Sequence, residues 1–225
     1  SDGAELRFAA LAALRGAEAA IAGPRLSARL EDADPAVRAA AAEGLGALDS
    51  ADAAIYRDAL RGLLADPVVD VGRTAALALA EFEDPSGVDL LVDALVDRRF
   101  SLDAAEALGR LKAQEAREPL TGLLHRRLLS PALHAESAGA LCRLGSDDGV
   151  EGLRRVLRAF RPDGRSRAAE LAGELGLHEL IPELRRLLRR PRGADLQVVE
   201  DALSRLTRAP EPAKRGYRLQ EDPGV

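Results

Sequence analysis

The sequence predicts an all-α chain, a solenoid of about six helical hairpins plus an N-terminal helix, over residues 1–208. Three observations predict it. An apolar motif returns at reference positions 6, 37, 71, 100, 133, 167 and 198, with spacings of 31, 34, 29, 33, 34 and 31 residues. Self-similarity at such a period marks stacked repeats. Aromatics make up only 3% of the 225 residues and Trp is absent, so Ala and Leu must fill the interior, which suits closely packed helices. Finally, proline and glycine fall where the motif starts and stops.

The motif is an apolar residue, small residues four and five positions on, and an apolar residue at the eighth. Those offsets share one face of a 3.6-residue helix. Leu6 and Leu14 flank Ala10 and Leu11, and Val37 and Leu45 flank Ala41 and Ala42. Val71 and Leu79 flank Ala75 and Ala76, and Phe100 and Leu108 flank Ala104 and Ala105. Leu133 and Leu141 flank Ser137 and Ala138, and Val198 and Leu206 flank Ala202 and Leu203. A weaker copy sets Arg167 and Leu175 around Leu171 and Ala172. These are the second helices of the hairpins. Asp34-Pro35 and Asp66-Pro67 predict an Asp cap followed by Pro at the first helical position, and Pro131 and Pro162 start two more. Gly16, Gly46, Gly109, Gly145 and Gly176 are expected at helix C-termini.

Between the copies lie the first helices. "GPRLSARLED" (23–32), "EPLTGLLHRR" (118–127) and "IPELRRLLRR" (181–190) each carry Pro and then leucines three or four apart. The stretches at 54–66, 87–97 and 149–160 keep the spacing without Pro. An N-terminal helix over about 3–15 precedes six helix pairs from about 17 to 208. No single helix buries its stripe alone, so the units must stack. The tail from Ala209 breaks the period with Pro210, Pro212 and Pro223 and is expected to be irregular or disordered over 209–225.

At this level of detail the chain resembles a known family. "ADPAVRAAAAEGLGAL" looks like the second helix of a bacterial HEAT repeat, of the short kind also found in phycobilin lyase subunits. The Pro-then-leucine first helices look like that family's too. The resemblance covers nearly all of residues 3–208 and implies a right-handed α-α superhelix, first helices convex and second helices concave. The family motif carries Arg directly after the reference residue, a place held here only by Arg7 and Arg38; a ladder of Asp–Arg contacts between repeats is therefore expected to be mostly lost.

On the second helices, offsets 2, 3 and 6 point away from the core. They hold Glu43, Asp103, Glu106, Glu136, Glu170, Glu200 and Asp201, with Arg73 the one basic exception. This predicts an acidic concave face suited to a basic segment of a protein partner. The competing reading is that Glu simply favours exposed helix positions. Phe8, Leu77 and Leu102 are apolar at the same offsets and are expected to be covered by a neighbouring helix, with anchoring of a partner as the alternative.

Charge divides along the chain. Residues 1–112 hold 12 Lys+Arg and 20 Asp+Glu, a net of −8, whereas residues 113–225 hold 20 and 17, a net of +3. The basic excess gathers in Arg154, Arg155, Arg158, Arg161, Arg165 and Arg167, then Arg185, Arg186, Arg189, Arg190 and Arg192. Solvated Arg near helix C-termini is the plain account; phosphate binding is the sharper one. The overall net charge of −5 does not point to nucleic acid, and the few scattered aromatics offer no base-stacking platform. The opposed charges leave head-to-tail self-association open.

Other chemistry is thin. His125, His134 and His178 fall on different helices with no ligand spacing, so no metal site is expected. Lone Cys142 excludes an intramolecular disulfide and a Cys-based zinc site, and is expected to be partly buried. No Gly-rich phosphate loop follows a strand, and no cofactor is implied. No run approaches the roughly 18–20 apolar residues of a membrane span, and no signal peptide is visible. A cytoplasmic location is expected. Met is absent even at position 1, so the chain is expected to be a processed or excised piece, with an upstream targeting segment left open. The leading expectation is a non-enzymatic protein-binding scaffold. The alternatives are an enzyme or accessory subunit similar to the bilin lyases, and a nucleic-acid binder using the Arg-rich C-terminal repeats.

Overall fold

Six hairpins stack in sequence order. The structure, a computed structural model, describes residues 19–48, 54–126, 129–159, 164–191 and 193–208. The expected N-terminal helix, Phe8, Gly16, Pro162 and the tail from Ala209 lie outside the described residues. The hairpins are α1 (Ala19–Ser27) with α2 (Pro35–Gly46), and α3 (Arg57–Gly62) with α4 (Val69–Glu81). Next come α5 (Val88–Ala94) with α6 (Ser101–Arg110), and α7 (Arg117–Leu124) with α8 (Pro131–Arg143). The last two are α9 (Asp147–Arg158) with α10 (Arg165–Glu174), and α11 (Ile181–Arg189) with α12 (Leu196–Arg208). Among the described residues there is no strand. Even-numbered helices form one continuous layer, each packed on the next; odd-numbered helices form the other. The result is the all-α superhelical fold that the period predicts.

The motif's small residues explain the stacking. Ala41, Ala42, Ala75, Ala76, Ala104, Ala105 and Ala138 are all fully buried, as are Leu45, Leu79, Leu108 and Leu141. Val37, Val71 and Leu133 are buried at the reference positions. Three references depart from the pattern. In the last copy the buried residue is Val199 while Val198 is half-buried, a register shift of one. Phe100 is half-buried, and Arg167 faces the surface layer, with Ala168 buried instead. Two apolar clusters result: a smaller one from Ala22 to Phe82 and a larger one from Ala76 to Leu206, meeting at α4.

Helix starts follow the expected chemistry at two sites. Asp34 Oδ1 accepts from the Ala36 amide at 2.9 Å with Pro35 opening α2. Ser130 Oγ accepts from the Leu133 amide at 3.2 Å with Pro131 opening α8. At Asp66-Pro67 the expectation fails. Val68 caps α4, which starts two residues past the proline, and Asp66 instead accepts from the Val68 amide and from Arg38. Asp66 Oδ1 thus keeps the bond to the amide two residues on that Asp34 also makes, and the Arg38 pair is added to it.

The glycine expectation splits into two roles. The left-handed residues after the second helices are Glu83, Lys112, Gly145 and Gly176, one per repeat, at φ between 52° and 74°. Gly46 and Gly109 do not cap anything. With Gly173 they sit inside the contact between successive even helices, where an added Cβ would lie 2.9, 2.8 and 2.8 Å from the Cα of Ala78, Ala140 and Ala202. Lys112 pays a left-handed strain that glycine lacks. Lys112→Gly is therefore expected to raise stability by about 0.5 kcal/mol, measured as a higher urea midpoint at unchanged slope; a lower midpoint would contradict it.

The inter-repeat ion-pair ladder, expected to be mostly lost, is present. Arg38 pairs with Asp66 at 2.7 Å, Arg61 with Asp84 at 2.6 Å, and Arg73 with Asp97 at 2.8 Å. Arg99 pairs with Asp70 at 2.5 Å, Arg110 with Glu81 at 2.6 Å, and Arg143 with Glu174 at 3.4 Å. Only Arg38 stands directly after a reference residue. The others reach the neighbouring repeat from different positions because long guanidinium side chains tolerate a shifted origin.

Candidate partner-binding groove

The even-numbered layer carries a groove of about 660 Å³ running across α2, α4 and α6. Its floor is made by Gly46, Ala47, Leu48, Leu77, Ala78 and Phe100, and its walls carry Glu43, Glu81, Asp103, Glu106, Arg99 and Arg110. The floor's small residues, Gly46, Ala47 and Ala78, come from the C-terminal ends of α2 and α4. Leu77 is half-buried in it, and Leu102, outside it, is 41% exposed rather than covered.

The two arginines do not neutralise the groove. Arg110 donates through Nη1 and Nη2 to both oxygens of Glu81, each at 2.6 Å. Arg99 donates to Asp70 and Asp97, and its guanidinium lies 5.4 Å from the Phe100 ring. Glu43, Asp103 and Glu106 complete the acidic lining, with Glu106 3.7 Å from Arg167. Among the described residues, no cation lies within ion-pair distance of Asp103. Burial pushes its carboxyl above the usual range, and the like charges of Glu106 and Glu43 add to the shift.

The groove thus brings together three of the eight residues singled out from the sequence. Arg73 lies beneath it, held by Asp97 and 5.7 Å from the Phe100 ring. Glu136 and Glu170 flank Arg167 farther along the layer, with Glu174 and Glu106 each 3.7 Å from that guanidinium. Glu136 is a correction to the exposed acidic face. It is 4% exposed and accepts from Arg167 Nε, while burial, only partly offset by Arg167, pushes its carboxyl up. Glu200 and Asp201 are exposed on α12 outside the groove, with Asp201 accepting from Gln197 Nε2 at 3.0 Å.

Sequence reasoning missed Glu81, Arg99, Phe100 and Arg110 as groove residues. One signal was available: an aromatic replaces an aliphatic at reference position 100, directly after Arg98-Arg99. The C-terminal arginines also need revising. Arg165 is fully buried and donates to the Ala159 carbonyl, and Arg167 belongs to the even layer. Neither is a solvated helix end.

Among the described residues, no group of His, Cys, Asp and Glu could hold a metal ion. Burial lowers His134, with Arg155 adding to the effect, and His178 Nδ1 sits 2.8 Å from the Gly176 carbonyl. Burial pushes the Cys142 thiol up to about 12. Thiolate is the reactive form. Cys142 is therefore expected to resist a disulfide reagent at pH 8 in the native protein and to react at once in denaturant. Fast labelling of the native protein would contradict its burial. Among the described residues, no helix is long and apolar enough to cross a membrane.

Comparison with known proteins agrees with this architecture. Residues 23–103 match the family of HEAT repeats. None of the curated proteins matches the chain at a significant level. Among solved structures, the chain is similar to the complex of CpcE and CpcF of phycocyanin lyase from Nostoc sp. PCC7120, with 23% identity and a TM-score of 0.60 over 92% of this chain and 91% of that one. It is similar to YibA of Escherichia coli, with 21% identity and a TM-score of 0.55 over 84% of this chain and 68% of that one. An engineered protein aligns over 81% of this chain and 95% of its own, with 19% identity and a TM-score of 0.52. Likeness at these identities speaks to the fold alone.

Proposed function

We propose, from the premise that this chain is built of HEAT-like repeats, that it is a non-enzymatic scaffold holding a basic segment of a protein partner across α2, α4 and α6. One observation carries the proposal: exposed Asp103 stands beside Glu43 and Glu106 at the edge of a partly apolar groove, where the neighbouring like charges make its ionised form costly. A guanidinium or ammonium brought there relieves that cost, while Leu48, Leu77 and Phe100 give its aliphatic stem a surface.

The test is fluorescence anisotropy with a labelled oligo-arginine peptide. Binding is expected at low salt, at least about tenfold weaker for D103K/E106K and weaker for wild type at high salt. Acid should weaken it too. The raised Asp103 carboxyl takes up its proton at a higher pH than an ordinary Asp, so affinity falls as pH drops from neutrality towards that range. Equal binding by D103K/E106K would remove the groove from the account.

A second reading is an enzyme or accessory subunit similar to the bilin lyase subunits. The groove volume, about 660 Å³, falls in the range of small-molecule sites and favours it. The lining argues the other way, since four carboxylates suit an open-chain tetrapyrrole's propionates poorly. A shift in bilin absorbance on incubation with the protein would favour this reading over the scaffold.

A further inference from the structure

The C-terminal repeats leave a set of arginines that the ladder does not use. On α11 the apolar stripe is turned inward, with Leu184 and Leu187 buried, while Arg185, Arg186, Arg189 and Arg190 are exposed. Arg186, Arg189 and Arg190 rim a surface depression of about 390 Å³ with Pro182. Among the described residues, none of these four arginines has an ion pair. Arg154 and Arg158 take the nearby carboxylate, Glu183, at 3.5 and 2.5 Å. The contrast with the first three repeats is plain. There Arg38, Arg61, Arg73, Arg99 and Arg110 each meet a carboxylate of the adjoining repeat.

What could cover such a face? Among the described residues, the large exposed apolar side chains are Ile21, Ile55, Val68, Val69, Val96, Leu102 and Leu196, so α11 itself offers none. A bilayer would need an apolar wedge beside the charges, which α11 lacks. A polyanion would also suit these arginines, and the duplex-DNA arm below separates it. An acidic groove fits the same charge, and one is present at the chain's own concentration.

We propose that the arginine face of α11 docks into the acidic groove across α2, α4 and α6 of a second copy of this chain. The inference rests on the groove's preference for guanidinium groups stated above and names the segment that supplies them. The groove lies on the even layer and α11 on the odd layer. One neighbour therefore cannot cover both surfaces of a copy. The contact is heterologous and propagates head to tail instead of closing as a two-fold dimer. Bidentate pairing of Arg with Asp103 and Glu106 gives it direction, and its exposure makes it sensitive to salt.

Sedimentation velocity on the whole chain tests it. Wild type is expected to grow in mean mass with concentration at about 20 mM salt and to be monomeric at about 500 mM. D103K/E106K and R186E/R189E/R190E should each be monomeric alone, with unchanged circular dichroism. Mixed in their neutral forms, D103N/E106Q and R186Q/R189Q/R190Q, the two should form a one-to-one complex and stop there, because each keeps one intact face and the two altered faces no longer attract. Wild type that stays monomeric at low salt overturns the proposal. So does growth that either variant leaves untouched, a mixture that forms no complex, or R186E/R189E/R190E-sensitive binding of duplex DNA at about 150 mM salt. The groove reading is scored separately by oligo-arginine peptide on R186E/R189E/R190E, whose groove is intact. A monomeric wild type whose groove still takes the peptide sinks the self-docking alone, and no peptide binding sinks both.

Discussion

Gly109→Leu is expected to destabilise the chain by about 3 kcal/mol, the upper end of overpacking costs. Gly109 lies near the end of α6, and an added Cβ would meet the Ala140 Cα at 2.8 Å and its Cβ at 2.9 Å. The obstacle is backbone, so no rotamer change relieves it; α8 must move off α6. That contact is one of a series, with Gly46 against Ala78 and Gly173 against Ala202. Helix propensity works the other way, because Leu is about 0.8 kcal/mol better than Gly in a helix interior. The control isolates the two effects. Around Gly122 in α7 an added Cβ meets nothing within 4 Å, so Gly122→Ala should stabilise by about 0.5–1 kcal/mol. Urea unfolding of both variants measures the difference. A neutral Gly109→Leu would mean that the even helices do not approach each other as closely as described.

Leu141→Ala should cost about 3–4 kcal/mol. Leu141 is fully buried in the larger apolar cluster, on α8, the helix that packs against α6, α7, α9 and α10. Helices on four sides leave little room for collapse into the vacated space. The damage should also be local. The smaller cluster, Ala22 to Phe82, does not include Leu141, and repeat chains couple chiefly through nearest neighbours. Native-state hydrogen exchange should lose protection in α6 to α10 while Val71, Ala75 and Leu79 of α4 keep most of theirs. A uniform loss along the chain would make the two clusters one cooperative unit.

The reach of sequence reasoning followed the range of the interaction. Asp34-Pro35 and Pro131 were readable as helix starts because a cap closes over two or three residues. Asp66-Pro67 has the same appearance, yet α4 starts only at Val69, and the carboxylate that accepts from the Val68 amide also takes Arg38, 28 residues away. Gly145 and Gly109 look alike as punctuation; one turns the chain at φ 74° and the other admits a neighbouring helix. At the groove, Glu43, Asp103 and Glu106 were found by helical offset, but Glu136 at the same offset is buried under Arg167. Glu81, Arg99 and Arg110 entered from outside the pattern through pairs that span 29 residues.

The sequence by itself determined the hairpin count, the two layers and the apolar stripe of most helices. Those depend on residues three to eight positions apart, and helical geometry sets their relation before any repeat meets another. Only the tertiary structure decided which charges remain after the repeats pair. A guanidinium chooses among carboxylates by distance in space, and neighbouring repeats bring together side chains that the chain keeps about thirty residues apart.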